Sequence, residues 1–473
     1  MFQANGLDGA TGGYLHPALS ADQLAGVAIG EPIDTPEVRE LRWWHRLRTE
    51  QTYGVAQGID PTRFEEAGWG LIAAADLAPA VLDALEPLRR LRCEQVTSGG
   101  HPDFYREFVG EHAYRRGESK QQFLGRFGVG PGPANPANGV PYYLLIVGQP
   151  DTVPFSFQYQ LDVAYAVGRI CFDTPGEYAA YARAVVAAEA AGEPAAPPRI
   201  TLWSPTNPDD AATRLSTEEL VVPLAAALAA QSSELTVEAH VGAAASKAGL
   251  IDVLTAGSAP DVVFTASHGV AFPLGDDRQE SDNGALVCQE WPGPRAADGA
   301  LTDDVYLSGA DIVDGTAVHG SVVLSFACFG AGTPLMDDFT RRAFTDPVAI
   351  AERPFVARLP QRLLAHESGG VLAFVGHVDL AWGCSFQWRG QRQLEVFRSA
   401  LMDLLDGYPV GAAMEYFNQR YAELSADLTS EIDDIRNFGR IPDDFELASL
   451  WTANNDARNY TIVGDPAVRA RRR

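Results

Sequence analysis

Two apolar blocks in the chain each deliver one side chain able to do covalent chemistry. The block DVVFTAS runs into His268-Gly269, and the block SVVLSF runs into Ala327-Cys328. A thiol attacks well mainly as thiolate, so a nucleophilic cysteine needs an imidazole or another electropositive group close by. The same imidazole can later protonate a leaving amine. Backbone N–H groups at a strand-to-loop turn can hold the oxyanion of a tetrahedral intermediate, and those of Gly269 and Cys328 are the candidates. Gly269 and Gly330 remove side-chain bulk where a substrate backbone must approach. Taken alone, a strand cysteine is more often a small buried hydrophobe than a nucleophile. That plain reading is given to Cys93, Cys171, Cys288 and Cys384.

Positioning such a pair requires strands, and the hydropathy pattern supplies them. WGLIAAA, from Gly68 onward, reads as a strand followed by a helix carrying Leu77, Val81, Leu85 and Leu88. YYLLIVG (Tyr142 to Gly148) and VAYAVGRI (Val163 to Ile170) read as buried strands. Glu177 to Glu189 reads as an Ala-rich helix, and Ala191 to Pro198 has linker composition. Beyond it stand ITLWSP, a helix over Thr217 to Ala230, LTVEAHV, and a helix near Lys247 to Thr255. Then come the His268 strand, an Asp/Gly-rich excursion to about Asp314, the Cys328 strand, a helix near Pro354 to His366, and GGVLAFVGHVD. Strands alternating with helices predict an α/β fold with a largely parallel sheet, whose strand carboxyl ends collect ligands and chemistry. Residues 391 to 425 read as two helices hinged at Gly407 and Pro409, followed by a polar stretch and a final YTIVGDPAVRARRR. Near the start, an amphipathic stretch from Thr35 to about Gln51 reads as a docked extension.

The apolar-block-His-Gly followed by apolar-block-Ala-Cys resembles the caspase-like (clan CD) cysteine peptidases, most of all the gingipain-type and CHAT-like group. WGLIAAADLAPAVLDALEPL resembles the opening strand and helix of the gingipain-type catalytic domain. YYLLIVGQPDTVPF, LDVAYAVGRI and the terminal VGDPAVR resemble later segments, in the family's order, so the likeness covers roughly residues 66 to 470. The chain departs from caspases in having Phe326-Ala327-Cys328-Phe329-Gly330 where they carry Q-A-C-x-G. Gln149 also stands where many gingipain-type sequences have an acid. The resemblance implies a three-layer α/β/α fold with a mostly parallel central sheet and two side-by-side subdomains. Residues 1–65 would form an N-terminal extension, 66–198 a non-catalytic α/β subdomain, and 199–473 the catalytic subdomain with C-terminal helices. It further implies an endopeptidase with Cys328 as nucleophile and His268 as general acid/base, whose side chains need not touch in the resting enzyme.

Specificity is less sharply marked. By analogy with the fold, the chain after GHVD should wall the primary specificity pocket, which nominates Asp379, Trp382 and Trp388. The competing reading makes His377 and Asp379 a buried polar pair capping a strand. Asp276-Asp277 and Asp337-Asp338 could place carboxylates at the cleft, selecting a basic substrate residue or binding Ca²⁺, or could simply be solvated loop acids. Arg341-Arg342 is a candidate self-cleavage site, and His319 reads as structural.

Composition bounds the partners. The 473 residues carry 36 Lys plus Arg against 62 Asp plus Glu, a formal charge of −26. Nucleic-acid backbones and anionic membranes should therefore be repelled. A 46% hydrophobic content supports a large core, and the five cysteines form no CxxC pair. Neither a signal-like start nor a bilayer-length apolar run is visible, which predicts a cytoplasmic protein; the resemblance implies protein or peptide substrates and no required cofactor. No phosphate loop, HExxH or GxSxG is present, so metal-ligand spacing is absent and no metal site is assigned. The alternative from another class is a catalytically silent peptide-binding scaffold or regulator, and a regulatory protein partner suits either reading.

Overall fold

Short runs of Val, Ile, Leu and aromatic residues build the centre of the molecule, because a strand buried on both faces has no polar alternation to display. The computed structural model describes residues 2, 5–15, 20–30 and 54–470, apart from 193–195, 256–258, 297–298, 314–317, 319, 338–347 and 389. The expected Thr35 helix, His319, Asp338 and Arg341-Arg342 lie outside the described residues.

Ten strands form the main sheet: β1 (Trp69–Ala73), β2 (Tyr105–Phe108), β3 (Tyr143–Val147), β4 (Ala166–Ile170), β5 (Arg199–Ser204), β6 (Thr236–Val241), β7 (Val262–Ala266), β8 (Val322–Phe326), β9 (Ala373–His377) and β10 (Tyr460–Gly464). Their order is β2-β1-β3-β4-β10-β9-β8-β7-β5-β6. The sheet is mostly parallel, with β9 and β10 antiparallel. Every residue of β1, β3, β4, β7, β8 and β9 is buried, so both faces of the sheet are covered, as an α/β/α sandwich requires. Of the two outermost strands, β2 is half-buried and β6 is partly exposed.

Residues 66–198 contribute β1 to β4, and residues 199–473 contribute β5 to β10, to this one sheet. β10, from the end of the chain, lies between β4 and β9. The Asp465 carboxylate that follows it accepts bonds from Trp69 Nε1 at 3.0 Å and Arg92 Nε at 2.8 Å. Arg92 also reaches Glu189 at 2.9 Å, so a buried ion cluster ties the last strand to helices of the first half. Asp465 belongs to the terminal VGDPAVR segment, and its role here is structural.

Two local expectations change. Residues Val163 to Tyr165 close the helix Phe155–Asp162 instead of starting a strand, leaving Ala166–Ile170 as β4. The polar stretch after residue 425 is helical. Glu415–Phe438 buries Ser425, Ala426, Leu428, Thr429 and Ile432 along one side, and Asp444–Arg458 follows it. Small and polar residues on the packed side had hidden that periodicity. At the start of the chain, Gly6–Asp8 pairs in parallel with Gly269–Ala271, and the helix Ala21–Gly30 packs on Asp444–Arg458.

Candidate active site

Strands β7 and β8 run side by side in register, from Val262 opposite Val322 to Ala266 opposite Phe326. Both chains therefore leave the sheet at the same edge, and two residues later they present His268 and Cys328. Both side chains are fully buried. The two turns touch: a Cβ on Gly269 would lie 1.8 Å from the Cys328 carbonyl oxygen, so only glycine fits. Past Cys328 the backbone turns sharply, with Phe329 at a left-handed φ of 58° and its N–H bonded to the Asp379 carbonyl at 2.8 Å. A non-glycine residue held there is strained, and such strain gathers at functional turns.

His268 is oriented by a residue that no motif had singled out. Its Nε2 lies 2.9 Å from Asp210 Oδ2. Asp210 caps the helix Ala211–Leu215, accepting from the N–H groups of Ala212 and Thr213 at 3.2 and 3.1 Å. It also accepts from Thr213 Oγ1 at 2.5 Å and from the Tyr14 hydroxyl. Burial opposes its charge, but the His268 ring and these donors outweigh burial and hold the carboxyl well below the usual range. With Asp210 ionised, the hydrogen between the two groups sits on Nε2, and Nδ1 is the ring nitrogen turned away from it. His268 Nδ1 is buried and has no hydrogen-bond partner among the described residues. The rings of Trp291 and Tyr14 flank the imidazole at 5.6 and 5.7 Å.

The thiol is held on its other side. Cys328 Sγ accepts from the Ala381 N–H at 3.2 Å, and burial pushes its pKa up despite that donor. The N–H groups of Gly269 and Cys328, the two oxyanion candidates, both point at one atom, the Asn5 carbonyl oxygen, at 2.9 and 3.4 Å.

The other nominated residues separate into different surroundings. Trp382 and Trp388 line a cavity of about 490 Å³ beside Asn5, together with Leu215, Glu218 and Gln387. Asp379 lines a different cavity, with Met336, Arg353 and Asn459, and its Oδ1 accepts from the Leu380 N–H at 2.8 Å. His377 faces Asp456, with Nε2 3.2 Å from Oδ1. Asp276 is paired with Arg278 at 3.2 Å within its own turn, and Asp277 is exposed. Neither lines the cavity beside Asn5. Asp337 is buried. The cysteines of the described residues form no disulfide, and burial raises Cys171 to about 12 and Cys288 further. Among the described residues no group of three or more His, Cys, Asp or Glu side chains is placed to hold a metal ion, and no helix is long and apolar enough to cross a membrane.

Asp210 had a readable signal. The run Asn207-Pro208-Asp209-Asp210 directly after the β5 block is a helix-capping signature at a strand's carboxyl end. Nothing in it marks the imidazole as a partner.

Among solved structures, one described as a protease aligns over 85% of this chain and 78% of its own, at 12% identity and a TM-score of 0.51. The chain shares the fold of that structure. Gingipain R, an Arg-specific cysteine proteinase, aligns over 88% of this chain and 80% of its own at 12% identity and a TM-score of 0.44. A complex of pro- and mature domains of a Porphyromonas gingivalis gingipain aligns over 85% and 80% at 10% identity and 0.43. No protein-family model matches the chain, and no curated protein sequence does.

Proposed function

We propose that the chain is a caspase-like cysteine endopeptidase. The observation that carries this reading is the convergence of two backbone N–H groups, from Gly269 and Cys328, on a single carbonyl oxygen beside the Cys328 thiol. An oxyanion site is defined by such donors at about 3 Å from the oxygen that gains charge. Cys328 attacks the carbonyl carbon, and its proton passes to His268 Nδ1. The imidazolium gives that proton to the departing amine, leaving a thioester that water hydrolyses with His268 as base. Asp210 fixes the tautomer and stabilises the imidazolium while it exists.

Removing the nucleophile tests this directly. Cys328→Ala should abolish cleavage of a peptide library, and one equivalent of an alkylating agent should label Cys328 in the active chain. Activity retained in Cys328→Ala, with labelling of Cys93 instead, would sink it. One observation favours the silent-scaffold alternative: the thiol is fully buried with a raised pKa. A chain that binds peptides and never cleaves them would decide for that alternative. Preference for basic residues is the finer expectation, and in Asp276 the carboxylate it could use is already paired with Arg278.

A further inference from the structure

We propose that the chain's own Asn5–Gly6 peptide bond is its substrate, with Asn5 directly before the scissile bond, and that the site selects an asparagine side chain at that position. The inference rests on the peptidase reading and adds to it a substrate class and a self-cleavage site.

The backbone around Asn5 is held as a substrate would be. Its carbonyl oxygen accepts from both oxyanion donors, and its N–H donates to the Ala381 carbonyl at 3.0 Å. Ala381 in turn donates its own N–H to Cys328 Sγ at 3.2 Å, so one residue registers both the nucleophile and the bond it attacks. On the other side of that bond, Gly6–Asp8 extends in register with Gly269–Ala271. Cys328 Sγ lies so close to Gly6 that a Cβ there would stand 3.1 Å from it. A residue with any side chain after the scissile bond would crowd the sulfur, and this chain has glycine.

The side chain of Asn5 is 2% exposed and faces a polar group chosen by its surroundings. Ser216 Oγ donates its hydrogen to the Ala212 carbonyl at 3.0 Å, so toward Asn5 it offers only a lone pair. Asn5 Nδ2 donates to it at 2.9 Å. A carboxamide supplies that donor, whereas an aspartate carboxylate brings a second acceptor against the first. A site that hydrogen-bonds a substrate group rejects the analogue lacking it far more strongly than an apolar pocket rejects a change of size. Glu218 lines the cavity beyond and is exposed, which makes arginine the meaningful competitor.

The chemistry balances with water alone. Cys328 Sγ bonds to the Asn5 carbonyl carbon, the bond to the Gly6 nitrogen breaks, and the thiol proton leaves on the Gly6 amine. Water then splits the thioester, giving the Asn5 carboxylate and the free thiol.

The test uses the full chain. Mass and N-terminal mapping should show a new terminus at Gly6 in the wild type and an uncut chain in Cys328→Ala. Asn5→Gln and Asn5→Asp should slow the cut at least about tenfold. On a peptide library varied before the scissile bond, Asn should exceed Asp and Arg at least about tenfold in kcat/KM, and Ser216→Ala should shrink the Asn-over-Asp preference. Matched melting temperatures exclude misfolding in the variants, and the library on the unaltered chain needs no variant. An intact Asn5–Gly6 bond in a chain that cleaves the library after Arg or Lys overturns the inference and leaves the peptidase reading standing. No cut in the chain or in any peptide removes the peptidase reading itself.

Discussion

His268 and His377 stand at the carboxyl ends of the two strands that flank the Cys328 strand, and both rings are fully buried beside an aspartate. What surrounds each aspartate differs. Asp456, beside His377, also accepts from the Trp382 N–H at 2.8 Å and from the Ser385 hydroxyl, and the His377 ring packs on Tyr460 at 4.0 Å and on Phe326 at 5.5 Å. Phe326 and Tyr460 lie in the sheet, Asp456 in the helix Asp444–Arg458, and Trp382 and Ser385 in the turn after β9. Around His268 the cover includes Tyr14, from the segment that also brings Asn5 into the cleft. The enclosure of His377 thus comes from residues far along the chain, whereas that of His268 depends in part on the segment that carries Asn5 and Tyr14.

Removing each ring gives the widest separation. His268→Ala should lower turnover by about 10²–10⁴-fold, the usual worth of a positioned acid/base, and, since it too breaks a buried pair, should also lower the melting temperature. His377→Ala should destabilise the fold by about 3–5 kcal/mol, since it breaks a buried pair and opens a cavity. Purified His377→Ala that folds should keep its rate per molecule. Urea unfolding and steady-state assays on both variants check this, and equal stability losses with equal activity losses would erase the distinction.

A smaller effect is expected at Asp210. Asp210→Asn keeps the cap on Ala211–Leu215 and loses the charge that holds His268, so turnover should drop on the order of 10²-fold. It should also change the acid side of stability. Because the folded pKa of Asp210 lies below its ordinary 3.8, its stabilisation is present above that value and lost as pH falls through the lower folded value. Asp210→Asn should therefore be less stable than the wild type near neutrality, with the gap narrowing below pH 3.8, as acid titration of the melting temperature would show.

How much of this was legible beforehand depended on how local the information was. His268 and Cys328 could be read because each ends an apolar block, and blocks of that kind became β7 and β8. Their adjacency needed the sheet order, in which β10 from the far end of the chain and β5 from the middle sit on either side of the site's three strands. Asp210 was visible as a cap and invisible as a partner, because the 2.9 Å contact joins residues that only the fold brings together. Trp382 and Asp379 are three positions apart and line separate cavities, since the chain turns at Asp379 with a φ of 89°. Asn5 carried no signal at all. Its importance comes from a carbonyl oxygen that every residue has, placed opposite two donors.

The mildest probe acts on the cover and leaves the machinery intact. Tyr14→Phe deletes one hydroxyl donor to Asp210 and keeps the ring beside His268. Its hydrogen bond to a charged group is worth about 1.5 kcal/mol or somewhat more, and part of that loss falls on the closed position of the segment because Leu15 N–H bonds back to the Gly6 carbonyl at 3.0 Å. In a Cys328-containing chain whose Asn5–Gly6 bond is intact, alkylation of Cys328 should therefore rise about fivefold or more, since 1.4 kcal/mol corresponds to a factor of about ten in an opening equilibrium. Ser385→Ala deletes the corresponding hydroxyl beside Asp456 and should lower stability while leaving that alkylation rate unchanged. Timed alkylation read by mass spectrometry distinguishes the two. A Ser385→Ala chain that labels as fast as Tyr14→Phe would mean that Cys328 is reached by loosening the core, and that the segment before the helix Ala21–Gly30 does not control access.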